Sequence, residues 1–331
     1  MSGSIFKSRI FNAKEIEIEV AATCRWDGSN NLLGSRSFDD LVQEWGVLNK
    51  EFYKILPDCL KAKLIKSSST PIPKSKVSCV IPYLDNHCYL NDALLGIASQ
   101  THKPDMVIIA IDNCTEIVYE KVKFILGMLG GIRKKKIIKF KGFNGPYKML
   151  NQIYDEHVDD GLLWLHDSDD ISHPNRLELQ LGFMNTHRLD ICSSFEISIL
   201  NKMTRYIQYP LNATRSLLSE PGHCMLWPGS LIKKTLWDSL RGCSDKHKFG
   251  ADTEFQLRAC FISRMGNYPA FLYARRKRSN SLTGSKETGH GSWCREYLNS
   301  LYKADYYFRQ MQKSKGHDID LKPRFSSGSI L

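Results

Sequence analysis

From about Lys76 onward, short apolar runs alternate with amphipathic stretches. Lys76 to Pro82 (KVSCVIP) is a β-branched run with the length of a strand, and Tyr89 to Gln100 has helical periodicity. Met106 to Ile111 (MVIIAI) predicts a second strand, Glu116 to Leu129 a helix, and Lys136 to Phe140 a third strand. Gly145 to Glu156 is helical again, and Leu162 to Leu165 is a fourth strand. A β-α-β-α-β-α-β order predicts an α/β fold: a Rossmann-like, mostly parallel sheet with helices on both faces. Farther on, Leu189 to Leu200 and Cys224 to Leu226 read as strands, Gly229 to Leu240 as a helix, and Trp293 to Gln312 as a long C-terminal helix.

The chain before this alternation is different. Glu15 to Val20 (EIEIEV) alternates like a half-buried strand. Ser37-Phe38-Asp39-Asp40 is a capping-box pattern, opening a helical stretch through about Leu56. A Ser- and Pro-rich connector, Ser67 to Pro73, then breaks the pattern. These shifts divide the chain into an N-terminal accessory segment (1–74), a main α/β domain (75–290), and a C-terminal helix with a polar tail (291–331).

Composition narrows the class. The apolar content of 42% and charged content of 24% are those of a globular protein, and no window is long and apolar enough for a transmembrane helix. The first residues lack a secretory pattern, and the ten cysteines form no C-x-x-C pair. A cytoplasmic, reduced setting is therefore expected, without a zinc site or a disulfide framework. The net charge of +11 is concentrated in two clusters, Arg133 to Lys136 and Arg275 to Arg278. The first reads as solvated surface. With no nucleic-acid-binding signature beside it, the charge suits an anionic substrate or an anionic membrane surface rather than nucleic acid.

Candidate chemistry begins where the fourth strand ends. Leu162-Leu163-Trp164-Leu165-His166 runs into Asp167-Ser168-Asp169-Asp170, three carboxylates in four positions. Open α/β sheets bind ligands beyond the carboxyl ends of their strands. Like charges gathered there need protons or a cation, and oxygen ligands suit a hard ion such as Mn²⁺ or Mg²⁺. The competing reading is an acidic turn that caps the next helix. Asp112, at the end of the second strand, lies on the same sheet edge and favours the crevice.

Several segments together carry a resemblance. Val77 to Tyr83, Leu94 to Thr101 (LLGIASQT), Ile111-Asp112-Asn113-Cys114-Thr115, and Asp167 to Asp170 with Pro174-Asn175-Arg176-Leu177 resemble the inverting family 2 glycosyltransferases of GT-A fold. So do Phe249 to Arg258 (FGADTEFQLR) and Tyr273 to Thr283 (YARRKRSNSLT), which extend the likeness from Val77 to about Gly284. The chain departs from the family pattern at Asn113, Cys114 and Ala251. The resemblance implies that Pro82 and Tyr83 border the nucleotide and that Asp112 contacts its uracil or ribose. It makes Asp169 the metal ligand, Asp167 a ligand of metal or ribose, and Asp252 the general base. Asp170 is left to cap the helix near Pro174. Arg278 and Arg275 fall where arginine forks would meet the donor diphosphate. His290 is a candidate for metal or phosphate, and Lys148 and Asn151 for the nucleotide. Trp227 stands on the expected acceptor side, as a sugar platform or a core residue.

The implied activity is metal-dependent, inverting transfer from a nucleotide sugar, a UDP-sugar above all, to a hydroxyl of a glycan or lipid-linked acceptor. That chemistry belongs to surface polysaccharide or glycoconjugate synthesis. A haloacid-dehalogenase-type phosphohydrolase also uses Asp-x-Asp after a strand, but on its first core strand, whereas three strands precede Asp167 here. A non-enzymatic basic binding module rests on charge alone. The Tyr-rich C-terminal helix either lies peripherally on an anionic membrane or packs on the main domain.

Overall fold

The computed structural model describes residues 38–69, 75–84, 87–128, 130–200, 203–246, 248–278 and 281–323. The expected strand at Glu15 to Val20, the Thr70 to Pro73 part of the connector, and the tail beyond residue 323 lie outside these.

A first half-sheet is built as the alternation predicts. β1 (Val77–Tyr83), β2 (Met106–Ile111), β3 (Lys134–Lys139) and β4 (Leu162–Leu165) pair in parallel in the order β3-β2-β1-β4. The connecting helices are α3 (His87–Ala98), α4 (Glu116–Met128) and α5 (Pro146–His157). β1, β2 and β4 are buried almost throughout, as strands covered on both faces must be. β3 forms the edge, and Lys134, Lys135 and Lys136 are exposed along it, a charged edge that resists pairing with another sheet.

The second half is antiparallel and mixed. β5 (Ile171–Ser172), α6 (Arg176–His187), β6 (Ile191–Leu200), β7 (Met203–Ile207), α7 (Ala213–Ser219), β8 (Leu231–Lys233), α8 (Lys234–Leu240), α9 (Ala251–Ala259), β9 (Met265–Lys277) and α10 (Trp293–Ser314) follow. The sheet continues β4-β8-β6-β9-β5, with β7 on β6. β6 and β9 run parallel over ten residue pairs, and this long pair carries the polypeptide from the core to the rim of the crevice.

Two helices precede β1. α1 (Phe38–Ile55), α2 (Asp58–Ser69) and the turn between them place Trp45, Phe52, Leu56 and Leu64 in the same core cluster as β1 and β9. Phe52 meets Phe271 and Phe195 edge to face, with centroids 5.3 and 5.7 Å away. Asn49 reads the β9 backbone directly: it donates to the Phe271 carbonyl at 3.1 Å and accepts from its amide at 2.8 Å. α2 runs through Ser67 to Ser69, so the connector begins later than its composition suggested.

Two other expectations fail for identifiable reasons. Cys224 to Leu226 is not a strand; the Gln256 and Asn267 amides take the place of a neighbouring strand there. Gln256 accepts from the Cys224 and Met225 amides at 3.0 and 3.1 Å, and Asn267 donates to the Cys224 carbonyl at 2.8 Å. Gly229 to Leu240 is helical only from Lys234, because Leu231 to Lys233 is captured as a strand between β4 and β6. Smaller shifts occur at element ends: β3 begins at Lys134 rather than Lys136.

Asn49→Ala leaves one amide and one carbonyl of β9 without partners. We expect a loss of about 2 kcal/mol in unfolding free energy, read by reversible denaturation, since each unsatisfied backbone group costs about 1–3 kcal/mol.

Candidate active site

The end of β4 delivers the acids. Carboxylate oxygens of Asp167, Asp169 and Asp170 lie within 4.8 Å of one another. Beneath them, Arg176 is fully buried, and it donates to the Leu165 carbonyl at 2.9 Å, to Pro228 at 3.3 Å and to Ser172 Oγ at 2.6 Å. Its guanidinium also stacks over Trp164 and Tyr273, 4.5 and 4.8 Å from their centroids. This cation fixes the strand end from which the acids project. The Asp167 amide donates to Tyr273 Oη at 3.1 Å, and His166 Nδ1 is 2.7 Å from the Asp167 carbonyl. Burial pushes His166 down to about 3, so it is neutral at physiological pH.

Crowding raises the acids. Burial, then the Asp169 charge, pushes Asp167 up to about 7. Asp170 is held well above the usual range by burial and by both neighbouring carboxylates. Asp170 does not cap α6, whose N-cap is Asn175. One of its oxygens accepts from the Arg276 amide at 2.8 Å, and Oδ2 is buried without a hydrogen-bond partner. The residue set aside for capping therefore belongs to the cluster.

β9 brings the opposing charge. Arg278 Nε and Nη2 hold Asp169 Oδ2 at 2.8 and 2.6 Å. Arg276 donates to the Asp169 carbonyl at 2.9 Å and pairs with Asp92 of α3. Tyr89 lies under both guanidinium groups. Arg275 points elsewhere: its Nη2 is 3.6 Å from the buried Glu196 carboxylate, while its charge still draws Asp167 downward.

Asp252 stands in the first turn of α9, after Gly250 enters the helix with φ of 79°. That left-handed conformation favours glycine. Asp252 Oδ1 accepts from Tyr147 Oη of α5 at 3.2 Å, and Oδ2 is 3.8 Å from His223 Nδ1. Asp252 is also near enough for its charge to be among those that raise Asp167.

The remaining predicted residues divide. Asp112 accepts four hydrogen bonds from the Asn144 amide, the Asn144 side chain and the Gly145 amide, at 2.8 to 3.1 Å. This carboxylate holds the loop ahead of α5, with its acceptor positions filled. Pro82 is half-buried and Tyr83 buried, and the Tyr83 carbonyl accepts from the Asp112 amide at 2.8 Å. Lys148 is exposed on α5. Asn151 does not face the crevice: it exchanges two 2.9 Å hydrogen bonds with the Cys243 backbone. Trp227 is a core residue, packed against Tyr147, Trp237 and Phe255. Among the described residues, His290 does not join the acid cluster. It lies beyond β9, where partial desolvation, then the charges of Arg295, Lys277 and Arg275, pushes it down to about 4.

Tyr147, His223 and Glu196 escaped the sequence reading, and Arg176 was quoted there only as part of a motif, without a role; only the fold brings them to the site. Glu196 within SSFEISIL was the one visible signal, a charge in an otherwise buried strand.

Asp167 keeps a proton in the folded chain that an unfolded chain releases near pH 4. Without divalent cations, stability should therefore fall as pH rises from about 4 to about 7 and stay lower above. Asp167→Asn should raise Tm at pH 8 and leave it unchanged near pH 4, with about 2–4 °C gained per kcal/mol relieved. An unchanged melting profile would remove the charge crowding from the account.

Residues 78–222 match the family described as Glycosyl transferase family 2. No curated protein matches the chain. Among solved structures, S. aureus TarS is similar with a TM-score of 0.50 at 16% identity, over 71% of this chain and 43% of that one. S. aureus TarS 1-349 in complex with UDP-GlcNAc gives 0.50 at 16% identity, over 62% and 60%. The chain thus spans under half the length of the full TarS chain, and the likeness at this identity concerns the fold. The sequence match and the sheet order agree on one conclusion: residues 78–222 are similar to glycosyl transferase family 2, and the fold is GT-A-like.

Proposed function

We propose that the protein is a divalent-metal-dependent, inverting glycosyltransferase that takes a sugar from a UDP-sugar to a hydroxyl of a glycan or lipid-linked acceptor, in surface polysaccharide or glycoconjugate synthesis. The observation that carries this reading is the acid cluster of Asp167, Asp169 and Asp170, with Asp252 near enough to act on Asp167. UDP-GlcNAc bound to the TarS fragment makes UDP-sugars the first donors to test. Residues 75–290 serve as the transferase domain, 1–74 as an accessory segment, and 291–331 as a C-terminal helix and tail.

The cluster fits a hard divalent ion. Its ligands are all carboxylate oxygens, two of them hold raised affinities for a proton, and Asp170 Oδ2 is buried without a partner. Asp169 and Asp167 would hold Mn²⁺ or Mg²⁺, with Asp170 behind them, and His290 is not required. A bound ion would offset the charge that develops on the leaving diphosphate.

The chain's own residues do the rest. Arg278 is placed to pass from Asp169 to a diphosphate oxygen once the acids are otherwise neutralised. Asp112 holds the Asn144–Gly145 loop at the nucleotide end of the crevice, next to Pro82, Tyr83 and Lys148. Asp252 accepts the proton of the attacking hydroxyl, steadied by the Tyr147 hydroxyl on one oxygen. Attack from the Asp252 side, opposite the leaving group, inverts the anomeric carbon. The reaction takes place in the cytoplasm or on the cytoplasmic membrane face. No helix among the described residues is long and apolar enough to cross a membrane. The outer row of α10, with Trp293, Tyr297, Tyr307, Phe308 and Met311 exposed, favours peripheral contact with an anionic bilayer.

A UDP-sugar with Mn²⁺ should raise Tm, because ligand binding stabilises the folded state. Asp252→Asn should lower kcat by about 10²–10⁴-fold while that stabilisation persists, the range of a lost general base. Asp169→Asn should remove the metal-dependent part of the stabilisation. If no nucleotide sugar stabilises the metal-loaded protein, the donor assignment is wrong.

A further inference from the structure

β9 ends in alternating cations. Arg276 and Arg278 turn to the acid cluster, where they bind the Asp169 carbonyl and carboxylate. Arg275 and Lys277 occupy the opposite face, because successive strand residues point to opposite sides. Register extends that face across the sheet: Arg275 is opposite Ser198 of β6, and Ser198 is opposite Arg205 of β7. Directly paired residues share a face, so Arg205, Ser198 and Arg275 stand side by side. Lys277, opposite Leu200, follows on the same side.

One carboxylate serves these cations. Glu196, two residues before Ser198, is the sole acidic residue in β6, β7 and β9. Fully buried, it is 3.6 Å from Arg275. Among the described residues, neither Arg205 nor Lys277 has a carboxylate within ion-pair distance. The Lys277 ammonium is pushed below its usual range by burial and by Arg275 and Arg205, with Glu196 opposing. Surplus positive charge thus collects on one face of the rim.

Contacts lead from this face to Asp252: Arg275 is 3.6 Å from Glu196, the ring of Tyr209, just beyond β7, is 6.3 Å from that of His223, and His223 Nδ1 is 3.8 Å from Asp252 Oδ2. His223 accordingly feels both Arg275 and Glu196. The donor diphosphate has its own cation, Arg278, on the other face of β9. We infer that the acceptor is anionic, and that Arg205 and Lys277 receive a phosphate group carried by it close to the hydroxyl under attack. The inference rests on reading Asp252 as the base that marks the acceptor side. A guanidinium fork and an ammonium suit phosphate oxygens, and their field also draws an anion toward the crevice. Such a phosphate comes either from a soluble sugar phosphate or from the diphosphate of a lipid-linked acceptor.

The test uses the full chain saturated with UDP and Mn²⁺, and compares wild type with the double variant Arg205→Gln, Lys277→Gln. The probes are glucose 6-phosphate, and phosphatidylcholine vesicles with and without a polyprenyl diphosphate. Wild type should bind one phosphate probe at least about tenfold more tightly than the variant, the size of one lost charge-assisted contact. The preferred probe identifies the source, and UDP affinity and Tm should be the same in both proteins. Equal probe binding by wild type and variant overturns the inference. A fall in UDP affinity in the variant also overturns it, by assigning the patch to the donor. A wild type that binds a phosphate probe but no UDP instead refutes the donor reading and leaves the patch standing.

Discussion

Three carboxylates at the end of a buried strand repel one another, and the geometry around them answers that repulsion. Asp167 and Asp170 are pushed toward the protonated form by burial and by their neighbours. Arg278 fastens Asp169, the Arg276 amide satisfies one oxygen of Asp170, and Arg176 braces the strand end from below. A charge arrangement of this kind costs stability in the free protein and is tolerated where a ligand restores the balance.

The two halves of the sheet divide the work. The parallel half, with β1, β2 and β4, presents strand ends and the Asp112-held loop to one side of the crevice, as open α/β sheets do. The antiparallel half brings β9, whose terminal cations reach Asp169, and α9, which carries Asp252. β8 joins the halves by pairing with both β4 and β6, which explains why a short segment of helical pattern is drawn into the sheet. α1 locks the far side of β9 through Asn49 and Phe52.

The alternation of strands and helices from β1 to β4 was legible because each element is fixed by its own periodicity, and Met106 to Ile111 is recovered without a shift. The Asp167 to Asp170 motif was legible because charge directly after an apolar run is rare without a purpose. Asp170 was misjudged because its neighbours suggested a helix cap, while the Arg276 amide that engages it lies 106 residues away. Cys224 to Leu226 and Leu231 to Lys233 were misread for a related reason: their partners, Gln256, Asn267 and the strands β4 and β6, are distant in sequence. Asn151 showed the helical spacing of a crevice residue and instead exchanges hydrogen bonds with Cys243. Local pattern decides elements, and long-range polar pairing decides what polar residues do.

The most direct measurement is a Mn²⁺ titration followed by electron paramagnetic resonance, with and without UDP, on wild type and Asp169→Asn. Binding of Mn²⁺ by wild type, tightened by UDP and lost in the variant, is the predicted result. Equal binding by the two proteins, or none by wild type with UDP present, would contradict the assignment of the acid cluster as the metal end of the transfer site.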